Sequence, residues 1–88
     1  MTPLHEPEHQ RFTLPTTPAS VLDYQLSGDR VVFTHTGVPS AYRGQGLAAR
    51  LVEAGLQWAR AQGLKVVPAC SYVHLHIQRH PEWQNLVA

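Results

Sequence analysis

Two glycines stand directly ahead of a long amphipathic run with no capping side chain between, and this feature constrains the chain more than any other. From Val38 to Pro68 the residues read as strand end, turn, glycine-rich bend (Arg43-Gly44-Gln45-Gly46-Leu47-Ala48), helix to Gln62, stop at Gly63, and a short strand Lys65-Val66-Val67-Pro68. The first N–H groups of a helix have no intrahelical acceptor. Ser, Thr, Asp or Asn ordinarily closes them, and none stands here. Bare donors at the positive end of a helix dipole favour an anion.

The helix follows from periodicity. At about 100° per residue, Leu47, Leu51, Ala54, Gly55 and Trp58 form one stripe with Ala48, Val52 and Ala59 beside it, while Arg50, Glu53, Gln57 and Arg60 fall opposite. That is one buried face and one wet face. Gly63 sits where a left-handed residue ends a helix, and Leu64 follows as the apolar residue that folds back on the last turn. Gly55 costs about 1 kcal/mol relative to Ala inside a helix, so its place on the buried stripe predicts a sheet packed too close for a methyl group.

At 88 residues the chain can bury one modest core and no more. Seven Lys and Arg against six Asp and Glu, scattered along the sequence, leave no electrostatic footprint for a nucleic acid or an anionic membrane. A single cysteine excludes an internal disulfide framework and fits a reducing compartment. No run approaches the roughly 18 apolar residues of a membrane span, and the N-terminus lacks the layout of a signal peptide. The expectation is a soluble, cytoplasmic protein with neither nucleic acid nor membrane as partner.

Residues 1–10 hold two prolines, two histidines and two glutamates with little that is apolar, which predicts a flexible arm. Arg11-Phe12-Thr13-Leu14 alternates as a short first strand, closed by Pro15, and Thr16-Thr17-Pro18 reads as a turn. Val21–Leu26 and Arg30–His35 flank the loop Ser27-Gly28-Asp29 and predict a hairpin. In its second arm, Val31, Phe33 and His35 share one face, and Val32, Thr34 and Thr36 the other. Tyr72 to Ile77 alternates as a strand would, yet Ser71 would also cap a short helix, and periodicity leaves both open. Pro81-Glu82-Trp83 reads as a turn into an apolar tail, with Trp58 and Trp83 as core and tail anchors.

Gly44-Gln45-Gly46-Leu47-Ala48-Ala49 satisfies a dinucleotide fingerprint as text. That fingerprint also needs an immediately preceding strand and an acidic residue about 20 positions on, where this chain has Lys65. The arrangement [QR]-x-x-G-x-[GA] between a strand and a long helix fits Arg43–Ala48 better. With His35-Thr36, Val38-Pro39, the Pro68-Ala69-Cys70-Ser71-Tyr72-Val73 block and His80-Pro81-Glu82-Trp83, it resembles the minimal, single-domain branch of the GCN5-related N-acetyltransferases. The resemblance runs from about Val21 to Val87. It implies a single α/β (α+β) domain over residues 11–88: a mixed, mostly antiparallel sheet, one long central helix over Gly46–Gln62, and a short C-terminal helix after Cys70. It also implies acetyl-coenzyme A as co-substrate and an unidentified amine, small molecule or protein, as acceptor. The pyrophosphate would lie on the amides of Arg43, Gly44, Gln45, Gly46, Leu47 and Ala48, and the pantetheine arm along the strand ending at Val38, with Lys65–Pro68 splaying away.

The chemistry needs a neutral amine, a holder for the thioester carbonyl and a proton donor for the leaving thiolate. The resemblance implies Cys70 as the active-site residue, nucleophile or proton donor, where a lone cysteine otherwise reads as a small buried hydrophobe. His35 stands near the end of the strand leading into the bend and reads either as a general base or as a histidine bonded at a sheet edge. Relatives often carry a larger residue where this chain has Gly37, so the base would be His35 or water. Tyr72 reads as proton donor or as packing, and Arg79 as a solvated charge or a contact for the cofactor's 3′-phosphate. His76 and His80 have metal-ligand spacing if helical, but no third ligand stands in register, so no metal is expected. A coenzyme-A-binding or interaction module that transfers nothing is the rival reading.

Overall fold

A computed structural model describes all 88 residues. In chain order they form β1 (Leu4–Glu6), β2 (Arg11–Leu14), β3 (Ser20–Ser27), β4 (Arg30–Gly37), α1 (Leu47–Ala61), β5 (Lys65–Pro68) and α2 (Ser71–Arg79), with 3-10 turns at Pro7–His9, Ser40–Tyr42 and Pro81–Leu86. The strands make one sheet in the order β1-β2-β3-β4-β5. Its first three pairings are antiparallel and β4–β5 is parallel, the mixed, mostly antiparallel α+β architecture expected. No helix is long and apolar enough to cross a membrane.

α1 forms as its apolar spacing predicts and packs on the sheet through Leu47, Leu51, Val52, Gly55, Leu56 and Ala59. Its four large aliphatics are each worth about 1.5–3 kcal/mol when fully buried, enough to override the cost of Gly55. A Cβ on that glycine would lie 2.8 Å from Leu22 Cδ2 and 3.0 Å from Phe33 Cε1, so the close approach is to side chains of the sheet. Leu56, beside the predicted stripe, is fully buried. The helix closes at Gly63 (φ 69°), with N–H bonds from Gly63 to the Arg60 carbonyl and from Leu64 to the Ala59 carbonyl, the paired bonds of a Schellman end.

The hairpin turn is two residues rather than three, because Ser27 pairs with Arg30. Gly28 at φ 60° takes the first central position, where a II′ turn requires glycine. The larger departure from the simple alternation lies within β4. Asp23 pairs with His35 while Tyr24 pairs with Phe33, so Thr34 is an extra residue in the ladder. Such a bulge reverses the alternation beyond it. Val31 and Phe33 are buried under α1, but Thr36 then opposes buried Leu22 and shares that face. His35 opposes Asp23 on the other face. The expected grouping of His35 with Val31 and Phe33 is therefore corrected.

The segment after Cys70 is helical. Cys70 is its N-cap residue and Ser71 its first helical residue, so Ser71 is not the cap. Buried Val73, His76 and Ile77 face the core. Trp83 and Leu86 are buried in the tail, and Val87 bridges to Val66 at the β5 edge. Residues 1–10, read above as a loose arm, contribute β1. It pairs with β2 and carries His5, whose ring stacks on Phe12 with centroids 4.2 Å apart and bonds to the Tyr24 hydroxyl at 2.6 Å. Arg11–Leu14 is accordingly the second strand.

Candidate active site

β4 and β5 pair only from Arg30↔Lys65 to Phe33↔Pro68. The Cys70 N–H then donates to the Phe33 carbonyl at 2.8 Å, and the chain turns into α2. β4 continues to Gly37 with β3 alone on its flank. The bulge at Thr34 thus begins where the parallel pairing ends, and beyond it β4 presents a free edge.

The bend closes the lower end of this gap. Tyr42 and Arg43 donate their N–H groups to Pro39 and Ser40 at 2.9 and 3.3 Å, after which the ladder of bonds stops. No backbone carbonyl accepts from the N–H groups of residues 44–49, and no side chain caps α1. Gly44 and Gly46 hold φ of 84° and 75°, and a Cβ built on either would meet nothing within 4 Å. Positive φ suits glycine, and the space above the amides is open. Two cavities, about 280 and 390 Å³, share Val38, Arg43, Ala48 and Tyr72 and make one trough along the bend and the end of β4. Neither is lined by an acidic residue, and Arg43 lines both. The largest concavity, about 490 Å³, lies instead between Met1–Pro3 and the flank of α1 and takes in none of the bend residues before Ala49.

Of the side chains singled out for chemistry, the trough brings His35 and Tyr72 together. Cys70 lines neither cavity. It stands half-buried at the head of α2, with its sulfur 3.4 Å from Thr36 Oγ1. The N–H groups of Tyr72 and Val73 turn toward the sulfur, though neither closes a cap hydrogen bond. Burial pushes the thiol up, but the Thr36 hydroxyl and the N–H groups of Val73, Tyr72 and Thr36 outweigh it and hold the thiol below its ordinary value. His35 lies on the opposite face of β4, with its Nε2 3.0 Å from where a Cβ on Gly37 would stand. The missing side chain at Gly37 is the space the imidazole occupies.

A third cavity, about 210 Å³, shares Tyr72 with the trough and carries Arg79 and His80 on its lining. His76 also lines it, but its Nε2 is engaged by Glu53 Oε2 at 2.6 Å, and its ring lies 4.3 Å from that of His80. Trp83 Nε1 donates to the same Glu53 oxygen at 2.8 Å, and the Arg60 guanidinium stands 4.4 Å from the centre of the Trp83 ring. Glu53, placed by periodicity on the wet face of α1, therefore ties α1 to α2 and the tail. Thr36 and Glu53 are the two roles the sequence pattern missed. Glu53 meets its partners 23 and 30 positions away, and no local signal marks such a contact.

A mixed sheet that opens between two parallel strands onto an uncapped helix start defines an α+β domain with a cleft at that helix start. The chain belongs to the GCN5-related N-acetyltransferase family, whose model, described as "GCN5-related N-acetyl-transferase", matches residues 11–86. It is similar to Protein NATD1 of Gallus gallus, 34% identical over 86 residues, covering 93% of this chain and 78% of that one. Protein NATD1 of Homo sapiens is also 34% identical over 86 residues, covering 93% and 76%. Among solved structures, the solution structure of a GCN5-like protein from Staphylococcus aureus superposes with a TM-score of 0.80 over 98% of this chain and 86% of that one. At 21% identity, that likeness establishes the fold.

Proposed function

We propose that this chain is an acetyl-coenzyme-A-dependent N-acetyltransferase acting on an amine, small molecule or protein side chain. The observation that carries the reading is the run of partnerless amides from Gly44 to Ala49, opening onto a trough with one cation and no acid. Such a cradle fits a diphosphate: donors and dipole are fixed in advance, and the two glycines keep Cβ atoms out of its way. Arg43, Gly44, Gln45, Gly46, Leu47 and Ala48 would hold the pyrophosphate, and the free edge of β4 through Val38 would pair with the pantetheine amides. Acetyl-coenzyme A supplies an activated acetyl group when bound. Cys70, whose thiol is held below its ordinary value, would accept acetyl or exchange a proton. Tyr72 lines the trough as a second hydroxyl donor, and His35 stands at its rim to take a proton from the acceptor amine.

Calorimetric titration with acetyl-coenzyme A tests the reading: heat of binding at micromolar to millimolar ligand is expected, and its absence throughout removes it. Arg79, on the adjoining cavity, would meet the 3′-phosphate. Arg79→Gln should weaken acetyl-coenzyme A several-fold while leaving its 3′-dephospho analogue unchanged, and equal effects on both ligands would remove that contact. One observation favours a second reading, coenzyme A binding without transfer: His35 and Thr36 leave β4 on opposite faces, so His35 is not beside the Cys70 sulfur. Acetyl transfer to a panel of amines separates the two.

A further inference from the structure

Resting on the reading of Cys70 as the reacting thiol, we propose that Thr36 is its positioning residue, with the Thr36 hydroxyl donating to the Cys70 sulfur and holding it at the open end of β4. The two atoms meet at 3.4 Å. In a thiol–hydroxyl pair either atom can donate, so the surroundings decide the direction. The N–H groups of Thr36, Tyr72 and Val73 also turn toward the sulfur, which stands at the positive end of the nine-residue α2. The field of these N–H groups and of the helix end favours the sulfur as the acceptor of the hydroxyl proton. A charge-assisted bond of this kind favours the thiolate.

The bulge creates the contact. Without the extra residue at Thr34, side chain 36 would leave β4 on the face opposite Phe33, and residue 35 would stand where Thr36 now stands. With it, Thr36 shares the face of buried Leu22 and reaches α2 across the gap. A histidine so placed would bring a bulky ring and a titratable charge under the sulfur. The threonine brings a neutral donor of fixed geometry, because its branched side chain is restricted at χ1.

The test is the pH profile of alkylation of the single cysteine by iodoacetamide, followed by mass in the wild type, Thr36→Val, Thr36→Ala and Thr36→Ser. Valine keeps the shape and loses the donor. Its profile should move upward by about one unit, with alkylation near neutral pH slowed by up to about tenfold, and Thr36→Ser should restore most of the difference. A valine profile superimposed on that of the wild type overturns the proposal. If Thr36→Val does not fold by circular dichroism, Thr36→Ala carries the same expectation and the same overturning result. Titration of the wild type with acetyl-coenzyme A separates the two levels of inference. Binding heat beside unshifted profiles rejects the role of Thr36 alone, whereas a shifted profile without binding rejects the acetyl-coenzyme A reading and leaves the Thr36–Cys70 bond standing.

Discussion

A methyl group added at Gly55 would come within 2.8 Å of Leu22 Cδ2 and 3.0 Å of the Phe33 ring, and both side chains are fully buried. Gly55→Ala would gain about 1 kcal/mol of helix propensity against an overpacking cost of about 1–3 kcal/mol. A net loss of about 1 kcal/mol in urea denaturation is expected, and an unchanged or higher midpoint would show that Leu22 and Phe33 have room to yield. Two positions away, Glu53 is governed by charge. Burial raises its pKa, but bonds from His76 and Trp83 and the charges of His76 and His80 outweigh it, leaving the carboxyl below its ordinary 4.5. A depressed carboxyl stabilises the fold above the unfolded value and loses that contribution as pH falls through the folded one. Glu53→Gln should therefore flatten the decline in melting temperature below about pH 4.5 and lower stability at neutral pH. A variant whose acid limb parallels the wild type would contradict this.

β1 is a three-residue edge strand that pairs with β2 and is anchored to the core by His5. His5 stacks on Phe12, meets Trp58 edge-on with centroids 4.9 Å apart, and bonds to the Tyr24 hydroxyl. An aromatic pair is worth about 0.5–1.5 kcal/mol and a hydrogen bond about 1 kcal/mol, so His5→Ala should cost about 1–2 kcal/mol and shift Trp58 emission to the red. Burial holds the His5 pKa below 6.5, opposed in part by Glu8. Its contribution is thus complete above 6.5 and fades as pH falls through the lower folded value. Hydrogen exchange at residues 4–6 should accelerate between neutral pH and about pH 5, and protection independent of pH would argue that β1 is held by its ladder alone. The composition of residues 1–10 pointed to an arm because one histidine among charges and prolines gives no periodic signal. Its partners Phe12, Tyr24 and Trp58 come from three different elements.

The radius of gyration, 12.1 Å, matches the roughly 12 Å of a compact chain this long, and one cluster of 16 buried residues spans the sheet, both helices and the tail. With a single core, a ligand bound to the bend stabilises the whole molecule. Acetyl-coenzyme A at about 100 times its Kd should add about 2.7 kcal/mol, which raises Tm by about 10 °C or more in a domain of this size. Cys70→Ala should retain that shift, because in the proposed reading the bend and not the thiol supplies the binding. Loss of the shift in the alanine variant, with the fold intact, would place Cys70 in the binding energy.

What the sequence determined by itself was local and periodic: the α1 stripe, its Gly63 stop, the close approach at Gly55, the β3–β4 hairpin and the uncapped start at Gly46. Each depends on residues a few positions apart, whose spacing the helical and extended repeats fix. Only the tertiary structure decided which face of β4 carries His35 and which carries Thr36, that Glu53 is a tether between helices, and that β1 docks at all. The reason in each case is a partner far away in sequence. A single extra residue at Thr34 inverts every side chain after it, and its presence is settled by the register against β3, which no periodicity within β4 records.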